Sequence, residues 1–279
     1  MIKDDFIRAK RRGKKWVMLT AYDAPTAELL EVSGVDLILV GDSLGMVLLG
    51  YPSTVFVTMD EMIHHAKAVR RGAKRSFIIG DLPLKGIEKG PRQALGSARR
   101  FLKEGGCDAV KLEWGSRARK TMELLIRNKI PVMGHAGLTP QTAAKKGGFR
   151  VQGREAESAL AVARQAEIFE KCGAFSVLLE CVPVLVAKAI TEKLAVPTIG
   201  IGAGPHCDGQ VLVFHDLVGI FKKFRPRFVK RYARLDDVMR KAVGAYVKDV
   251  REGKFPSRQH SFSMKKEEFV KFEGVFDGR

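Results

Sequence analysis

The sequence predicts a (β/α)8 barrel of the α/β class, a single domain over residues 1–279 with a charged C-terminal extension from about 249. Three observations point to it. About eight apolar, β-branched runs recur along the chain in a repeating unit of run, turn and amphipathic helix. The runs are continuous rather than alternating, as expected of parallel strands covered on both faces. A chain of 279 residues, 46% of them hydrophobic, is long enough to wrap eight such units round one core. An open doubly wound sheet is the competing arrangement.

The first two strands are read at 16–22, WVMLTAY, and 35–42, VDLILVGD. The next three are SFIIGDLP at 76–83, DAVKLEWG at 108–115 and IPVMGHAG at 130–137. The last three are FSVLLECV at 175–182, VPTIGIGAG at 196–204 and QVLVFHDL at 210–217. Helix signals fall between them. Thr58 with Glu61 forms a capping box, and Met59, Met62, Ile63, Ala66 and Val69 recur at helical spacing before Gly72. Thr139 caps a helix with Pro140 in its first turn, ended by Gly147 and Gly148. Residues 155–173 read as a longer amphipathic helix. The stretch after about 220 is expected to hold the final helix and then a charged tail, which would dock on the body or on another subunit.

Composition excludes several classes. No apolar run is long enough to span a membrane, and the N-terminus lacks the apolar core of a signal peptide, so a cytoplasmic protein is expected. Cys107, Cys172, Cys181 and Cys207 form no CxxC pair and read as reduced thiols. The net charge of +18 comes from Lys and Arg scattered along the chain without aromatic stacking motifs. That pattern fits a solvated basic surface first, a field for an anionic small molecule or polyglutamate tail second, and RNA binding third. His64 and His65 sit mid-helix and read as surface or inter-helix residues.

Asp42, Asp81, Glu113, His135, Glu180, His206 and Asp216 all fall at or just beyond the C-terminal ends of the candidate strands. In a parallel barrel that end carries the active site. Taken singly, each carboxylate is accounted for by a helix cap or a salt bridge to a Lys on the next loop. Taken together they would repel one another unless a cation lay between them. Their ligands are oxygens, which suits a hard divalent ion such as Mg²⁺, with Mn²⁺ or Co²⁺ as substitutes. Lys111 and Glu113 alternate along one strand and so share a face. There an ammonium could hold a substrate carboxylate while a metal polarises the neighbouring carbonyl. Glu180 ends a strongly apolar run, and partial burial would raise its pKa to suit a general base. GIGAGPHCDG has Pro205 where a dinucleotide loop needs Gly, so it reads as a tight loop closing part of the mouth.

These residues sit in longer motifs. LTAYDAPTAELLEVSGVDLILVGDSLGMVLLGY, DLPL, VKLEWG, GHAGLTPQ, GGFRVQGR, LECVP and IGIGAGPHCDGQVLVFHDLVG run in order over roughly residues 16–260. In this the chain resembles the ketopantoate hydroxymethyltransferases. The resemblance implies a TIM barrel of the phosphoenolpyruvate/pyruvate-binding type, a divalent metal, usually Mg²⁺, and a large homo-oligomer, commonly a decamer. It implies a reaction in which 5,10-methylenetetrahydrofolate, 3-methyl-2-oxobutanoate and water give 2-dehydropantoate and tetrahydrofolate. It assigns Asp42 and Asp81 to the metal, with Glu113 completing the shell directly or through water. Ser43, with Asp42 and Asp81, would contact the keto acid and Lys111 would hold it. Glu180 would accept the C3 proton, and His135 would touch a substrate or product oxygen. Two positions depart from the pattern: Gly80 stands where Ala is usual and Trp114 where Gly is usual. Trp114 is therefore expected to narrow or reshape the mouth. Two rivals remain: a lyase or mutase on the same barrel, whose KKCG-type loop EKCG at 170–173 is poorly placed to supply, and a basic RNA-binding or scaffolding protein.

Overall fold

Eight parallel strands close into a barrel in chain order, β1 to β8, in the computed structural model. The structure describes residues 2–143 and 150–278. The strands are β1 (Trp16–Thr20), β2 (Leu37–Val40), β3 (Phe77–Asp81), β4 (Ala109–Glu113), β5 (Val132–Gly137), β6 (Ser176–Glu180), β7 (Thr198–Ile201) and β8 (Gly209–Leu212). Each is shorter than its apolar run, because the run continues into the loop that leaves the barrel. β2, β4 and β5 are buried at every residue, as continuous hydrophobicity requires.

The helices preceding β4 are α1 (Ile2–Arg11), α2 (Ala24–Val32), α3 (Leu44–Val47), α4 (Met59–Gly72), α5 (Leu84–Ile87) and α6 (Pro91–Lys103). After it come α7 (Ala118–Arg127), α8 (Pro140–Ala143), α9 (Ala156–Cys172), α10 (Val184–Lys193) and α11 (Phe214–Leu217). The capping box of α4 forms as read: Glu61 N–H donates to Thr58 Oγ1 at 3.3 Å and Thr58 N–H to Glu61 Oε2 at 2.7 Å. Gly147 and Gly148, read as the stop of α8, lie outside the described residues.

Two features differ from the sequence reading. β7 and β8 are joined by residues 202–208 without a helix, so that βα unit is missing. The run read as a strand to 217 leaves the sheet at Leu212 and turns into α11, whose Phe214 N–H donates to Thr20 Oγ1 at 3.0 Å. Asp216 therefore stands on a short helix above the barrel rather than on a strand. The final helix expected after about 220 begins at Leu235, as α12 (Leu235–Arg251), and the charged tail beyond it holds a further helix, α13 (Lys266–Phe276).

The chain divides into two units, Met1–Tyr232 and Ala233–Arg279. Within the second unit, Val238, Met239, Val243, Tyr246 and Val250 of α12 recur at helical spacing, and each is at least 45% exposed.

The N-terminal end of the barrel is plugged by α1, an element with no strong signal in the sequence. Phe6 stacks on Trp16 at 4.4 Å between centroids and meets Phe175 edge-on at 4.8 Å. Together with Met18, Leu37, Ile79, Met133 and Ile199 it forms the inner core.

Both unusual positions face the helix layer. A Cβ added at Gly80 would lie 2.3 Å from Cδ1 of Phe101 in α6, and Trp114 packs edge-on against Phe169 of α9 at 5.4 Å. The expected narrowing or reshaping of the mouth by Trp114 is corrected by strand alternation: Lys111 and Glu113 point inward, so Trp114 points out. Gly80 thus records a bulky Phe101. Gly80→Ala is expected to destabilise the fold by about 1–3 kcal/mol through overpacking. Thermal melting should show the loss, and adding Phe101→Leu should restore most of it.

Candidate active site

The C-terminal ends of β2 to β6 bring one charged cluster together. Asp42 and Ser43 follow β2, Asp81 ends β3, Lys111 and Glu113 belong to β4, His135 to β5, and Glu180 ends β6. The register sets Asp81 beside Lys111 and Glu113 beside His135 on adjacent strands. All seven line a cavity of about 330 Å³, as does Asp216. His206, also read at a strand end, is exposed on the β7–β8 loop and does not line it.

Lys111 is the hub. Its Nζ lies 2.8 Å from Asp81 Oδ1, 3.9 Å from Glu113 Oε1 and 3.2 Å from His135 Nδ1, with the side chain 4% exposed. Burial works against its charge, but Asp81, Glu113 and Asp42 outweigh it and hold the pKa above the usual lysine value. The ammonium has donors only, so His135 Nδ1 accepts and the ring proton sits on Nε2. Burial, reinforced by Lys111, keeps His135 well below its ordinary pKa and therefore neutral. His135 Nε2 lies 3.2 Å from Glu180 Oε2, although the two are not aligned as a hydrogen bond. The imidazole thus spans the gap between the ammonium and Glu180.

The carboxylates respond to burial in different ways. Glu180 is pushed up to about 8, chiefly by burial, with Lys111 pulling down and Asp81 pushing up. Glu113 also rises to about 8, by burial against the pull of Lys111. Burial, with Asp81 and Glu113 nearby, raises Asp42 well above the usual carboxylate range.

Two positioning residues lie in the motifs LTAYDAP and GHAGLTPQ but are not singled out there. Gln141 of α8 donates from Nε2 to Asp42 Oδ2 at 2.9 Å and to Leu82 O at 2.8 Å, while its backbone N–H donates to Glu113 Oε2 at 3.2 Å. Tyr22, fully buried, shares a 2.8 Å hydrogen bond between its hydroxyl and Ser43 Oγ. The first ties two of the acidic side chains to one loop. The second fixes the hydroxyl beside Asp42.

Among the described residues, three buried carboxylates, Asp42, Asp81 and Glu113, face one buried ammonium. Asp81 Oδ1 makes no aligned hydrogen bond there, and its partner in charge is Lys111. Oxygen donors with this excess of negative charge fit a hard divalent cation. Among the described residues no three such side chains already close as a ligand set. Asp42 and Asp81 are instead turned to Gln141 and Lys111.

A sequence model of the family described as ketopantoate hydroxymethyltransferase matches residues 2–258. A 3-methyl-2-oxobutanoate hydroxymethyltransferase of Oleidesulfovibrio alaskensis is 52% identical over 272 residues, covering 98% of this chain and 94% of that one. One from Thermus thermophilus is 55% identical over 258 residues, covering 92% and 98%. The chain belongs to the ketopantoate hydroxymethyltransferase family. Solved structures place the family's barrel among related folds. Phosphoenolpyruvate phosphomutase from Streptomyces platensis subsp. rosaceus aligns with a TM-score of 0.59 at 14% identity, covering 97% of this chain and 99% of that one. A 2,3-dimethylmalate lyase of the PEP mutase/isocitrate lyase superfamily aligns with a TM-score of 0.58 at 14% identity, covering 99% and 96%. At that identity the likeness is one of fold alone. The ketopantoate hydroxymethyltransferase motifs GDS, GDLP, VKLE, GHAGLTPQ and LECVP each deliver a residue to the cavity. EKCG ends α9 on the outside of the barrel, and neither Lys171 nor Cys172 lines the cavity. Among the described residues no helix is long and apolar enough to cross a membrane.

Proposed function

We propose that this enzyme transfers a hydroxymethyl group from 5,10-methylenetetrahydrofolate to 3-methyl-2-oxobutanoate, giving 2-dehydropantoate, the opening reaction of pantothenate and coenzyme A synthesis. Family membership supports the reaction, and the relatives carry the keto acid in their names. The observation that carries the residue roles is the line Lys111, His135, Glu180: a buried ammonium and a carboxylate of raised pKa held apart by one neutral imidazole.

Lys111 binds the keto acid's carboxylate, since it is the buried cation of the cavity floor. Ser43, held by Tyr22, hydrogen-bonds the same substrate together with Asp42 and Asp81. Asp42, Asp81 and Glu113 would hold Mg²⁺ or another divalent ion, which supplies Lewis-acid stabilisation of the negative charge developing on the keto oxygen. Glu180 takes the C3 proton as general base. The electron pair left on C3 then forms the bond to the folate's methylene carbon as that carbon's bond to the first of its two folate nitrogens breaks, and the freed nitrogen takes up a proton in place of the one Glu180 removed. Water then displaces the second nitrogen, which keeps a proton from that water, leaving the hydroxymethyl group and tetrahydrofolate. His135, neutral and with Nε2–H toward Glu180, orients the base and presents a donor to a substrate or product oxygen.

A homo-oligomer, by the family resemblance a decamer, goes with this reading, supported by the exposed apolar stripe of α12. A cytoplasmic location is supported by the four free cysteines.

The test is isotope exchange. With 3-methyl-2-oxobutanoate in D₂O and no folate, the C3 proton signal should decay only when Mg²⁺ is added, and chelation should stop it. Adding 5,10-methylenetetrahydrofolate should then yield 2-dehydropantoate. Folded enzyme that shows neither exchange nor product would overturn the proposal.

A further inference from the structure

The strand ends supply only part of the cavity lining. Part of the rest comes from the segment after α11, where Phe221, Phe224 and Phe228 line the same space. That segment is pinned back onto α11. Ile220 N–H and Phe221 N–H donate to His215 O at 3.0 and 3.3 Å, and Tyr232 N–H donates to Leu217 O at 2.9 Å. Arg231 Nη2 donates to Phe221 O at 3.2 Å. The glycine loop after β7 makes room for it. Gly202 has φ of 65°, and a Cβ there would come within 2.7 Å of the Phe228 ring. The motif IGIGAG therefore seats an aromatic side chain.

Asp216 is the acidic group of this wall, with Arg231 acting on it electrostatically. It is 8% exposed, lines the cavity, and its carboxylate makes no hydrogen bond or ion pair among the described residues. Burial lifts its pKa to about 6 against the pull of Arg231. A carboxylate so placed is costly unless a ligand brings donors to it. The floor already accounts for a small keto acid, while a cavity of about 330 Å³ has the size of a site for a larger ligand.

We propose that Asp216 and the Phe221, Phe224 and Phe228 wall form the pterin site for the folate cosubstrate. The inference rests on the folate reading above and adds the residues that recognise it. A pterin presents a ring N–H and an exocyclic amino group side by side, which one carboxylate can accept as a pair. Its flat face suits phenylalanine rings in stacked or edge-on contact.

The experiment is calorimetric titration of the full-length enzyme with tetrahydrofolate kept reduced, with p-aminobenzoylglutamate as the fragment lacking the pterin. Asp216→Asn keeps the shape but offers one acceptor instead of two. It should weaken tetrahydrofolate binding by about 10- to 100-fold. Binding of p-aminobenzoylglutamate and of 3-methyl-2-oxobutanoate should stay within about twofold of the parent, which also shows that the variant is folded. Phe228→Leu should weaken tetrahydrofolate by about 2- to 10-fold. Unchanged tetrahydrofolate affinity in Asp216→Asn, or equal losses for the fragment, would overturn the pterin site while leaving the transferase reading intact. A parent enzyme that neither binds tetrahydrofolate nor forms 2-dehydropantoate from its methylene derivative would overturn both.

Discussion

Glu180→Gln is expected to lower the rate of C3 proton exchange, and of hydroxymethyl transfer, by about 10²- to 10⁴-fold, the usual worth of a placed general base. Glutamine keeps the size and the contact with His135 but cannot accept the proton. The loss should therefore appear in kcat, with KM for the keto acid little changed. The parent enzyme adds a pH signature. Burial raises Glu180 to about 8, and a base works only when deprotonated, so kcat/KM should climb with pH and level off above that region. A divalent cation bound nearby favours the ionised carboxylate, so saturating Mg²⁺ should move the rise to lower pH. NMR exchange rates across pH, with and without the metal, check both points. A pH profile that is unaltered in Glu180→Gln would assign the base elsewhere.

Lys111→Met should do more damage, because it removes an anchor and a counter-charge at once. The ammonium is buried among Asp81, Glu113 and Asp42, and its loss leaves those carboxylates without a cation. Breaking a buried pair from one side costs about 3–5 kcal/mol. The deficit should depend on pH in a defined direction. A carboxylate whose folded pKa is raised binds more protons in the folded state than in the unfolded one, so its stability rises as pH falls. The variant should therefore melt closer to the parent at about pH 6 than at about pH 8. Added Mg²⁺ should narrow the gap. Transfer activity should stay absent, since the keto acid's carboxylate has lost its partner. Thermal melting across pH, alongside product formation, separates the structural effect from the catalytic one.

The barrel was legible because burial on both strand faces forces continuous apolar runs, and those runs cannot be mistaken for an alternating sheet. Their ends were less legible. VLVFHDL is apolar throughout, and nothing in it shows that Thr20, nearly two hundred residues earlier, captures Phe214 and bends the chain into α11. Asp42, Asp81, Lys111, Glu113, His135 and Glu180 could be singled out since charged residues stand out at the ends of apolar strands. Gln141 and Tyr22 could not, because a buried glutamine or tyrosine looks the same in sequence whether or not it orients a carboxylate or a serine. Trp114 shows the reverse case. Its outward direction was already written in the alternation of VKLEW, and its partner Phe169 lies on a helix far along the chain.

The stacked rings of Phe6 and Trp16 turn the barrel into a cul-de-sac. Among the described residues, the floor at Lys111 is reached from the side of the cavity that Phe221, Phe224 and Phe228 line. A large cosubstrate lodged against that wall stands in the doorway of the smaller one. On the proposed reading, traffic through that doorway would queue: the keto acid is expected to bind first, and its hydroxymethylated product to leave only after tetrahydrofolate, an order that product-inhibition kinetics would check.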